Sequence, residues 1–230
     1  MHENEFFLLN DFSFVNEEFY ASEVSPPQTD ALLAAAWRHF GAHYFRYNFG
    51  FYEREIRRVQ PLRVRVSDFT NSKSQRRIRR KNQDLQAVVR PIEITREKEN
   101  LFERHKQRFT REMPASIYDF LDWDAANTPC EAQEICVYNN KTLLAASFFD
   151  VGKRATSGVY AIFEPTETAR SLGIFTMLLE IDFAREQGKD FYYSGYAYAG
   201  KSFYDYKKHF AALETYDWKT GVWKTFEEIN

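Results

Sequence analysis

Apolar and polar positions alternate most regularly in the segment that begins at Leu62. The run LRVRV has the period of two that is typical of a strand. A strongly basic segment follows, and Ser72 or Ser74 can cap it as a helix. The next apolar run, LQAVVRPIEI, predicts a second strand, and Pro91 places it at a sheet edge or a bulge because proline cannot donate a backbone hydrogen bond.

A helical period appears next. TREKENLFERHKQRFTREM predicts an amphipathic helix that opens on Thr95, and SIYDFLDW predicts a short second helix. The runs AQEICVYN, TLLAASFFDV and ATSGVYAIFEP predict three strands in succession. SLGIFTMLLEIDFAREQG predicts a long helix that ends at Gly188. A strand DFYYSGYAY, a helix SFYDYKKHF and a closing hairpin complete the chain.

The first 60 residues follow a less regular pattern that is rich in aromatic side chains. The run ALLAAAWRHFG predicts a helix that Thr29 or Asp30 caps and that Gly41 ends. The segment from Tyr44 to Val59 mixes aromatic and charged residues and predicts no single element.

From about residue 85 the predicted order is β-α-α-β-β-β-α-β-α-β. This layout resembles the Gcn5-related N-acetyltransferase (GNAT) fold, an α/β (α+β) architecture with a mixed sheet flanked by helices. We therefore expect two regions, residues 1–84 with the basic helix and residues 85–230 with the GNAT-like domain. In such folds the substrate cleft forms where central strands separate beside the long helix, which here indicates residues 157–173 and 193–207.

Composition changes this picture mainly through charge. The net charge is −2, but residues 61–111 hold 15 Lys and Arg against 6 Asp and Glu, so the rest of the chain is acidic. The beginning MHENEFFLLNDF lacks the pattern of a signal peptide, and no apolar run is long enough for a membrane span, so we expect a cytoplasmic protein. Cys130 and Cys136 fit no zinc or redox spacing and are expected to be core or loop thiols.

The basic helix carries six cations within nine residues, namely Lys73, Arg76, Arg77, Arg79, Arg80 and Lys81. Cations spaced at i,i+4 repel one another unless something anionic lies against them. Guanidinium groups bind two oxygens of a phosphate or carboxylate in one plane. A solvated helix with scattered ion pairs is the structural alternative, but the scarcity of local acidic residues favours an anionic partner.

A second segment, TSGVYAIFEPTETARSLGIF, places a helix start near Ser171 with Gly173 in its first turn. The unpaired N–H groups at such a helix start can bind an anion. Members of this fold that use acetyl-CoA carry a richer glycine pattern than the single Gly173 found here. The pattern therefore predicts a poor cradle for the coenzyme A pyrophosphate.

A third segment, YYSGYAYAGKSFYDYKKHF, has Gly195 in the middle of an aromatic strand, which indicates a bulge or the close approach of a ligand. Tyrosines alternating with lysines suit the single-stranded end of a nucleic acid, where bases stack and phosphates pair with cations. Packing of the rings in the core is the alternative for each tyrosine.

Together these segments resemble the aminoacyl-tRNA–protein transferases, which include arginyl-tRNA–protein transferases and bacterial leucyltransferases. The resemblance spans about residues 37–214, with its motifs in order. The matching residues are Pro61, Leu62, Arg63, Val64, Phe69, Ser72, Ser74, Gln75, Arg76, Arg77, Asn82, Asp84, Leu85, Arg104, His105, Val159, Tyr160, Pro165, Arg170, Ser171, Leu172, Gly173, Gly195, Tyr196, Tyr206, Lys207 and Phe210.

The resemblance implies transfer of Arg or Leu from a charged tRNA to the N-terminal amine of a protein or peptide with an acidic first residue, which marks it for degradation. Aminoacyl-tRNA would be the co-substrate in place of acetyl-CoA, with no membrane partner; the oligomeric state is open. The family's cysteine cluster is missing here, its places being held by Glu53, Ile56 and Val59, so we expect no iron–sulfur cluster and no metal cofactor.

The resemblance and the residue types together give candidate roles. Backbone N–H groups at Val159 and Tyr160 would bind the oxyanion, the Tyr160 hydroxyl would relay a proton, and Asp150 and Glu164 are candidate bases. The candidate acceptor-binding residues are Lys73, Ser74, Arg76, Arg77 and Arg63. The candidate tRNA-binding residues are Arg79, Arg80, Lys81, Arg170, Ser171, Gly173, Tyr193, Gly195, Tyr196, Tyr206 and Lys207.

Two other interpretations stay open. An acyl-CoA-dependent N-acyltransferase could use the same fold, and binding of acetyl-CoA would favour it. A non-catalytic member that recognises acidic N-termini without turnover is the second alternative, and binding without product would favour that one.

Overall fold

The computed structural model describes residues 14–109 and 113–227. Within that part of the chain the α-helices are α1 Pro26–Ala34, α2 Lys73–Lys81, α3 Arg96–Lys106 and α4 Leu172–Glu186. The strands are β1 Asn16–Tyr20, β2 Arg38–Phe40, β3 His43–Tyr47, β4 Phe49–Tyr52, β5 Glu55–Arg65, β6 Gln86–Pro91, β7 Ala132–Asn139, β8 Thr142–Val151, β9 Ala155–Phe163, β10 Phe191–Tyr198, β11 Leu213–Asp217 and β12 Val222–Thr225.

One large sheet organises the molecule, with the strand order β12-β11-β5-β10-β9-β8-β7-β6 and with β4 paired to β5. Strands β9 and β10 are parallel. Helices α4 and α2 cover one face and α3 covers the other, as β7 shows: Ile135 and Val137 pack with α4, whereas Cys136 packs with α3. This mixed sheet flanked by helices confirms the predicted fold class.

Local signals place the basic helix α2 where the sequence predicts it. Ser72 Oγ accepts a hydrogen bond from the Gln75 N–H, and Gln75 Oε1 accepts one from the Ser72 N–H at 2.9 Å. This reciprocal capping box satisfies two N–H groups that a helix start leaves unpaired. Ile78 packs against the core beside α4. Ser72 is thus confirmed as the cap.

The N-terminal region differs from the prediction. Helix α1 begins directly after Ser25, before both predicted caps, and it ends at Ala34 instead of Gly41. Ala36 has a φ of 63°, which a right-handed helix cannot accommodate. The following residues form β2, which joins β1 and β3 in a small antiparallel sheet of the order β1-β3-β2.

Two segments predicted as helices are shorter turns. SIYDFLDW contains only a single 3₁₀ turn, Ile117–Asp119, and SFYDYKKHF forms the 3₁₀ segment Phe203–His209. The predicted strands β7, β8 and β9, the edge strand β6 and the hairpin of β11 and β12 are confirmed. Both cysteines are free and buried, as predicted.

Strand β5 joins the two predicted regions. It precedes residue 84, yet it lies inside the large sheet between β10 and β11. The predicted division at residue 84 therefore does not coincide with a boundary between sheets. Among the helices of the described residues, none has the length and apolar composition needed to cross a membrane.

Candidate functional site

Two parallel strands of the large sheet separate beside helix α4. Strands β9 and β10 pair only over residues 155–157 and 191–193. Beyond them, β10 shifts register between Tyr193 and Gly195 and continues along β5, whereas β9 continues along β8. Residues 158–161 of β9 are only half-buried. We call the opening between residues 158–161 and 195–198 the strand gap.

A bulge of β9 lies at the strand gap. Phe149 of β8 pairs with Gly158 and Phe148 pairs with Tyr160, so the intervening Val159 has no partner residue on β8. A bulge leaves backbone groups of the extra residue outside the ladder. The candidate oxyanion site at Val159 and Tyr160 therefore lies in the strand gap, and its role stays a prediction.

Tyr160 places a phenol at the same point. Its ring stacks on Phe120 with a centroid distance of 3.8 Å, and its buried hydroxyl has no hydrogen-bond partner among the described residues. Burial raises the pKa of Tyr160, so the hydroxyl stays protonated and able to donate. This is the state that the predicted proton relay requires before reaction.

Neither candidate base is a free carboxylate. Asp150 is buried with Oδ2 3.0 Å from His39 Nε2. Burial raises the pKa of Asp150, but the neighbouring His39 outweighs it and the net pKa is lowered. Glu164 pairs with Arg104 at 2.8 Å. Burial raises the pKa of Glu164, but hydrogen bonds from Arg104 and Thr166 have the larger effect, so the net pKa is lowered. Carboxylates with lowered pKa are weak proton acceptors, so this geometry favours structural roles.

Arg38, which the sequence reasoning missed, reaches the strand gap from β2. Its guanidinium donates to Ser157 Oγ and to the Gly158 carbonyl. Gly158 has no space for a side chain, because a Cβ there would lie 2.8 Å from Glu180 Oε2. Arg38 from β2 and Glu180 from α4 thus both meet β9 where the gap opens. The available signal was one arginine in an otherwise apolar run, which the prediction placed in a helix.

Glu180 was also missed. Its side chain lies in the core, 3% exposed, and Oε2 accepts a hydrogen bond of 2.6 Å from the Tyr192 hydroxyl. Burial raises the pKa of Glu180 to about 7, although the Tyr192 hydrogen bond lowers it. The sequence did contain a signal, since a single carboxylate stands within the apolar run TMLLEI.

Lys207, a candidate phosphate contact, points its amine into the strand gap. Nζ donates to the Tyr196 carbonyl at 3.1 Å. Gly195 has a φ of 90°, and a Cβ there would lie 3.2 Å from Lys207 Nζ and 3.8 Å from the Arg38 guanidinium. We call Arg38, Glu180 and Lys207 the gap cluster. The register shift at Gly195 confirms the bulge that the sequence offered as one interpretation, and the groups that approach Gly195 closely are side chains of this chain.

The basic helix contains cations that are already paired. Arg79 forms an ion pair with Asp182 of α4 at 2.5 Å and donates to the Leu178 carbonyl at 3.3 Å. Lys81 donates to the Ala169 carbonyl at 2.9 Å. These contacts hold α2 against α4 and its preceding turn, and tRNA binding by Arg79 and Lys81 stays a prediction.

The remaining candidates on α2 are more exposed. Arg76 donates to the Asn71 carbonyl at 2.6 Å, and Ser74 Oγ lies 2.9 Å from Ser72 Oγ. The exposed cations of α2 with neither an ion-pair nor a hydrogen-bond partner in the described ranges are Lys73, Arg77 and Arg80, which we call the outer cations. An anion that approaches α2 would meet these three first.

Two further candidate arginines are held within the fold. Arg63 pairs with Glu214 at 2.6 Å and donates to the Tyr193 hydroxyl at 3.1 Å. Arg170 makes two hydrogen bonds of 2.9 Å to the Asp84 carboxylate. Both guanidiniums thus already bind carboxylates of this chain, which opposes the predicted roles in acceptor and tRNA binding.

The start of α4 is tightly packed. Ser171 precedes it with a φ of 54°. A Cβ at Gly173 would lie 3.0 Å from the Phe163 ring, so glycine is needed here for packing. The Phe163 N–H donates to His105 Nδ1 at 3.1 Å, and burial lowers the pKa of His105 to about 4, which keeps the ring a neutral acceptor. Close packing accounts for Gly173 without a phosphate, and tRNA binding at Ser171 and Gly173 stays a prediction.

The candidate tyrosines mainly pack in the fold. Tyr193 is 4% exposed and packs with Leu33 of α1. The Tyr196 hydroxyl donates to the Ala36 carbonyl at 2.6 Å. Tyr206 lies half-buried against the core cluster under α4. The core-packing interpretation therefore fits Tyr193 and Tyr196, which join the sheet to the N-terminal region.

Arg108 is a further candidate that the sequence reasoning missed. Its guanidinium carbon lies 4.3 Å from the centroid of the Phe163 ring, and it has no ion-pair partner among the residues that the structure describes. Burial lowers the pKa of Arg108, and the hydroxyls of Tyr206 and Tyr160 oppose that change. An arginine stays charged in spite of such shifts, so Arg108 offers an anion-binding group beside Tyr160.

One group of side chains in the described part of the chain could hold a metal ion. The ligand atoms of His39, Cys130 and Asp150 lie within 4.8 Å of one another, and all three residues are buried. Burial raises the pKa of Cys130, so its sulfur is a protonated thiol as it stands, whereas metals bind the thiolate. The pairing of His39 with Asp150 already accounts for this group, and the expectation of no metal cofactor stays a prediction.

The sheet order, the parallel pair and the strand gap define a protein of the GNAT-like fold class. Residues 97–217 match the family model described as "Arginine-tRNA-protein transferase, C terminus". The chain therefore belongs to the arginine-tRNA–protein transferase family, as the sequence motifs predicted.

Curated relatives support this assignment. The aspartate/glutamate leucyltransferase of Xanthomonas oryzae pv. oryzae is 34% identical over 165 residues, which cover 68% of this chain and 66% of that protein. The protein of the same name from Cereibacter sphaeroides is 30% identical over 170 residues, 70% of this chain and 60% of that protein. The chain thus spans slightly less than two thirds of the length of these relatives.

Solved structures share the architecture only loosely. The C-terminal domain of a putative lysylphosphatidylglycerol synthetase from Agrobacterium fabrum has 16% identity and a TM-score of 0.47, covering 80% of this chain and 55% of that chain. A GCN5-related N-acetyltransferase from Kribbella flavida has 14% identity and a TM-score of 0.36, covering 59% of this chain and 47% of that chain.

Proposed function

We propose that this protein transfers an amino acid from a charged tRNA to the N-terminal amine of an acceptor protein or peptide that begins with an acidic residue. The single observation that carries the proposal is the strand gap, where a bulged strand, a protonated phenol and two half-buried cations meet. Family membership supplies the donor class, and the names of the relatives support leucine as the transferred residue and aspartate or glutamate as the acceptor residue.

The chemistry requires little beyond positioning. An amine that attacks an aminoacyl ester forms a more stable amide, so this step needs no external energy source. Holding the two reactants in line is worth several kcal/mol. N–H groups of the bulge at Val159 and Tyr160 would stabilise the tetrahedral oxyanion, and the Tyr160 hydroxyl would stand beside them as a donor.

The donor would be bound through its phosphates. The outer cations of α2 and Arg108 lack carboxylate partners among the described residues, and phosphates of the tRNA acceptor end can pair with them. The paired side chains of Arg79, Lys81 and Arg170 instead position the outer cations by fixing α2 to α4.

The outer cations predict a salt-dependent interaction. Replacing Arg77 and Arg80 together by alanine should weaken tRNA binding and should reduce the slope of log affinity against log salt by about 1.4–1.8, because two phosphate contacts are lost. Filter binding or fluorescence anisotropy with one charged tRNA at several salt concentrations measures this slope.

Arg96→Ala provides the matched control, since Arg96 is 85% exposed on α3, on the opposite face of the sheet. Its slope should equal that of the unchanged protein. Identical slopes for all three proteins would remove the outer cations from the tRNA interface.

A transfer assay tests the proposed function itself. Incubation with leucyl-tRNA and a peptide that begins with Asp or Glu should give a peptide heavier by one leucine residue, which mass spectrometry detects. Arginyl-tRNA and acetyl-CoA form the two comparison arms. Product from acetyl-CoA alone would favour an acyl-CoA-dependent enzyme, and binding of the peptide without product from any donor would favour a non-catalytic family member.

A further inference from the structure

The position of Lys207 is unusual for a residue expected to bind phosphate. Its amine makes one hydrogen bond, to the Tyr196 carbonyl at 3.1 Å, and it has no ion-pair partner among the described residues. Its Nζ lies beside Gly195, where β10 leaves β9. The residue as a whole is half-buried and lies at the opening of the strand gap. An amine at that place would stand beside the groups that the proposed transfer brings into the strand gap.

Charged and titratable groups face Lys207 from several elements. Arg38 approaches from β2 and Glu180 from α4, with the Tyr192 hydroxyl of β10 bound to Glu180; the ring of Tyr204, in the same 3₁₀ segment as Lys207, lies 5.3 Å from Nζ. Burial lowers the pKa of Lys207, the nearby Arg38 lowers it as well, and Glu180 raises it; the net pKa is about 7. The amine can therefore exist in both protonation states near neutral pH.

The proposed reaction needs such a group. The N-terminal amine of a peptide has a pKa near 8 and is largely protonated at neutral pH, while only the neutral amine can attack. The leaving 3′-oxygen of the tRNA must in turn gain a proton. Asp150 and Glu164 are poorly suited to the first task, since the pKa of each is lowered.

We propose that the Lys207 amine accepts the proton of the acceptor ammonium group in the strand gap, with Glu180 and Arg38 as positioning residues. The inference rests on the proposed transfer function. The neutral Lys207 takes one proton from the acceptor nitrogen, a C–N bond forms to the ester carbonyl carbon, and the C–O bond to the 3′-oxygen breaks. The protonated Lys207 then gives that proton to the 3′-oxygen, and the nitrogen loses its second proton to solvent water as the amide forms, so Lys207 is neutral again and each transfer releases one proton.

Glu180 and Arg38 affect Lys207 in opposite directions, which gives the proposal a specific test. Activity should rise with pH through the pKa of Lys207, because the neutral amine is the active form. Glu180 itself has a pKa of about 7, and its ionised form stabilises the ammonium; Glu180→Gln removes that charge, so the rise should move to lower pH. Arg38→Gln removes a positive charge that destabilises it, so the rise should move to higher pH.

The first experiment measures single-turnover transfer from leucyl-tRNA to an acidic peptide over a pH range centred on about 7. Lys207→Arg keeps the charge but cannot release the proton, and it should lower the rate by about 100-fold or more. Lys207→Met is the second variant, in case the larger arginine side chain does not fit. It keeps the length of the side chain without the amine, and it should lower the rate by a similar factor. A Lys207→Arg protein with a full rate, or an unmoved rise in both Glu180→Gln and Arg38→Gln, would overturn the proposal.

The second experiment needs no tRNA. Competitive labelling of lysines with acetic anhydride at several pH values, read by mass spectrometry, reports the pKa of Lys207 in the unchanged protein and in the two variants. Opposite shifts in Glu180→Gln and Arg38→Gln are expected even if the donor has been misidentified. Unchanged labelling would refute the role of the gap cluster, whereas correct labelling with no transfer from any donor would instead refute the proposed function.

Discussion

Glu134→Gln is expected to lower the free energy of unfolding by about 3–5 kcal/mol. Glu134 Oε1 accepts hydrogen bonds from Lys98 Nζ at 2.5 Å and from Arg90 Nε at 2.8 Å. The side chains of Lys98 and Glu134 are 1% and 0% exposed, so water cannot replace a lost partner. A neutral amide would leave the Lys98 ammonium buried without a counter-charge. Urea unfolding followed by tryptophan fluorescence measures the change.

Glu99→Gln is the matched control, because Glu99 makes an ion pair of 3.5 Å with Arg96, whose side chain is 85% exposed. Exposed pairs are screened by water, so this variant should cost less than about 1 kcal/mol. The double variant with Lys98→Met and Glu134→Gln should be less destabilised than the two single changes predict together, because it contains no unpaired buried ammonium. Equal effects of Glu134→Gln and Glu99→Gln would contradict this account.

Loss of the pair between Lys98 and Glu134 should also affect the strand gap, because the pair holds helix α3. Lys98 belongs to α3 and Glu134 to β7, so their pair fixes that helix against the sheet. His105, in the last turn of α3, holds the backbone of Phe163 at the end of β9, and Arg108 lies over the Phe163 ring. Loss of the pair would therefore loosen one wall of the strand gap as well as the core.

The sequence predicted the elements that local signals determine. Helix α2 was predicted with Ser72 or Ser74 as its cap, and Ser72 forms a capping box with Gln75; α3 was predicted to open on Thr95, whose side chain accepts from the Lys98 N–H. Strands β7, β8 and β9 were found because their apolar runs are continuous and end in turn residues. These signals need no knowledge of distant parts of the chain.

The end of α1 could not be predicted in this manner. Ala36 adopts a positive φ, which the sequence does not announce because alanine is the best helix former. The three residues of β2 that follow are fixed by pairing with β3 and not by their own preference. The position of Arg38 at the strand gap could not be predicted for the same reason, since it depends on the placement of β2.

The pairing of two candidate arginines within the fold was missed for a related reason. Arg63 and Arg170 belong to the motifs that carry the family resemblance, and they were therefore read as ligand-binding residues. Their partners Glu214 and Asp84 are far away along the chain, and only the folded sheet and the turn before α4 bring them within 3 Å. Glu180 is different, because a lone carboxylate in an apolar helix was visible and could have been taken as a site residue.

Gly195→Ala is expected to lower the rate of transfer by about 10-fold. Its φ of 90° lies in a region that side chains rarely adopt, which costs about 1–3 kcal/mol of stability. The added Cβ would lie 3.2 Å from Lys207 Nζ, so the amine would have to shift by a few tenths of an ångström in the strand gap. Displacement of a reacting group by about 1 Å can reduce rates by two orders of magnitude, so a smaller shift should cost about one.

Gly200→Ala separates the two effects of that substitution. Gly200 also has a positive φ, 77°, but nothing lies within 4 Å of the position that its Cβ would take. Both variants should therefore show a similar loss of stability in thermal unfolding, while Gly200→Ala keeps its transfer rate. The rate comparison is made well below the lower melting temperature, so that the folded fraction is the same. Should Gly195→Ala transfer as fast as Gly200→Ala, the close contact between Gly195 and Lys207 would have no part in the reaction, and the strand gap would have to act through Val159 and Tyr160 alone.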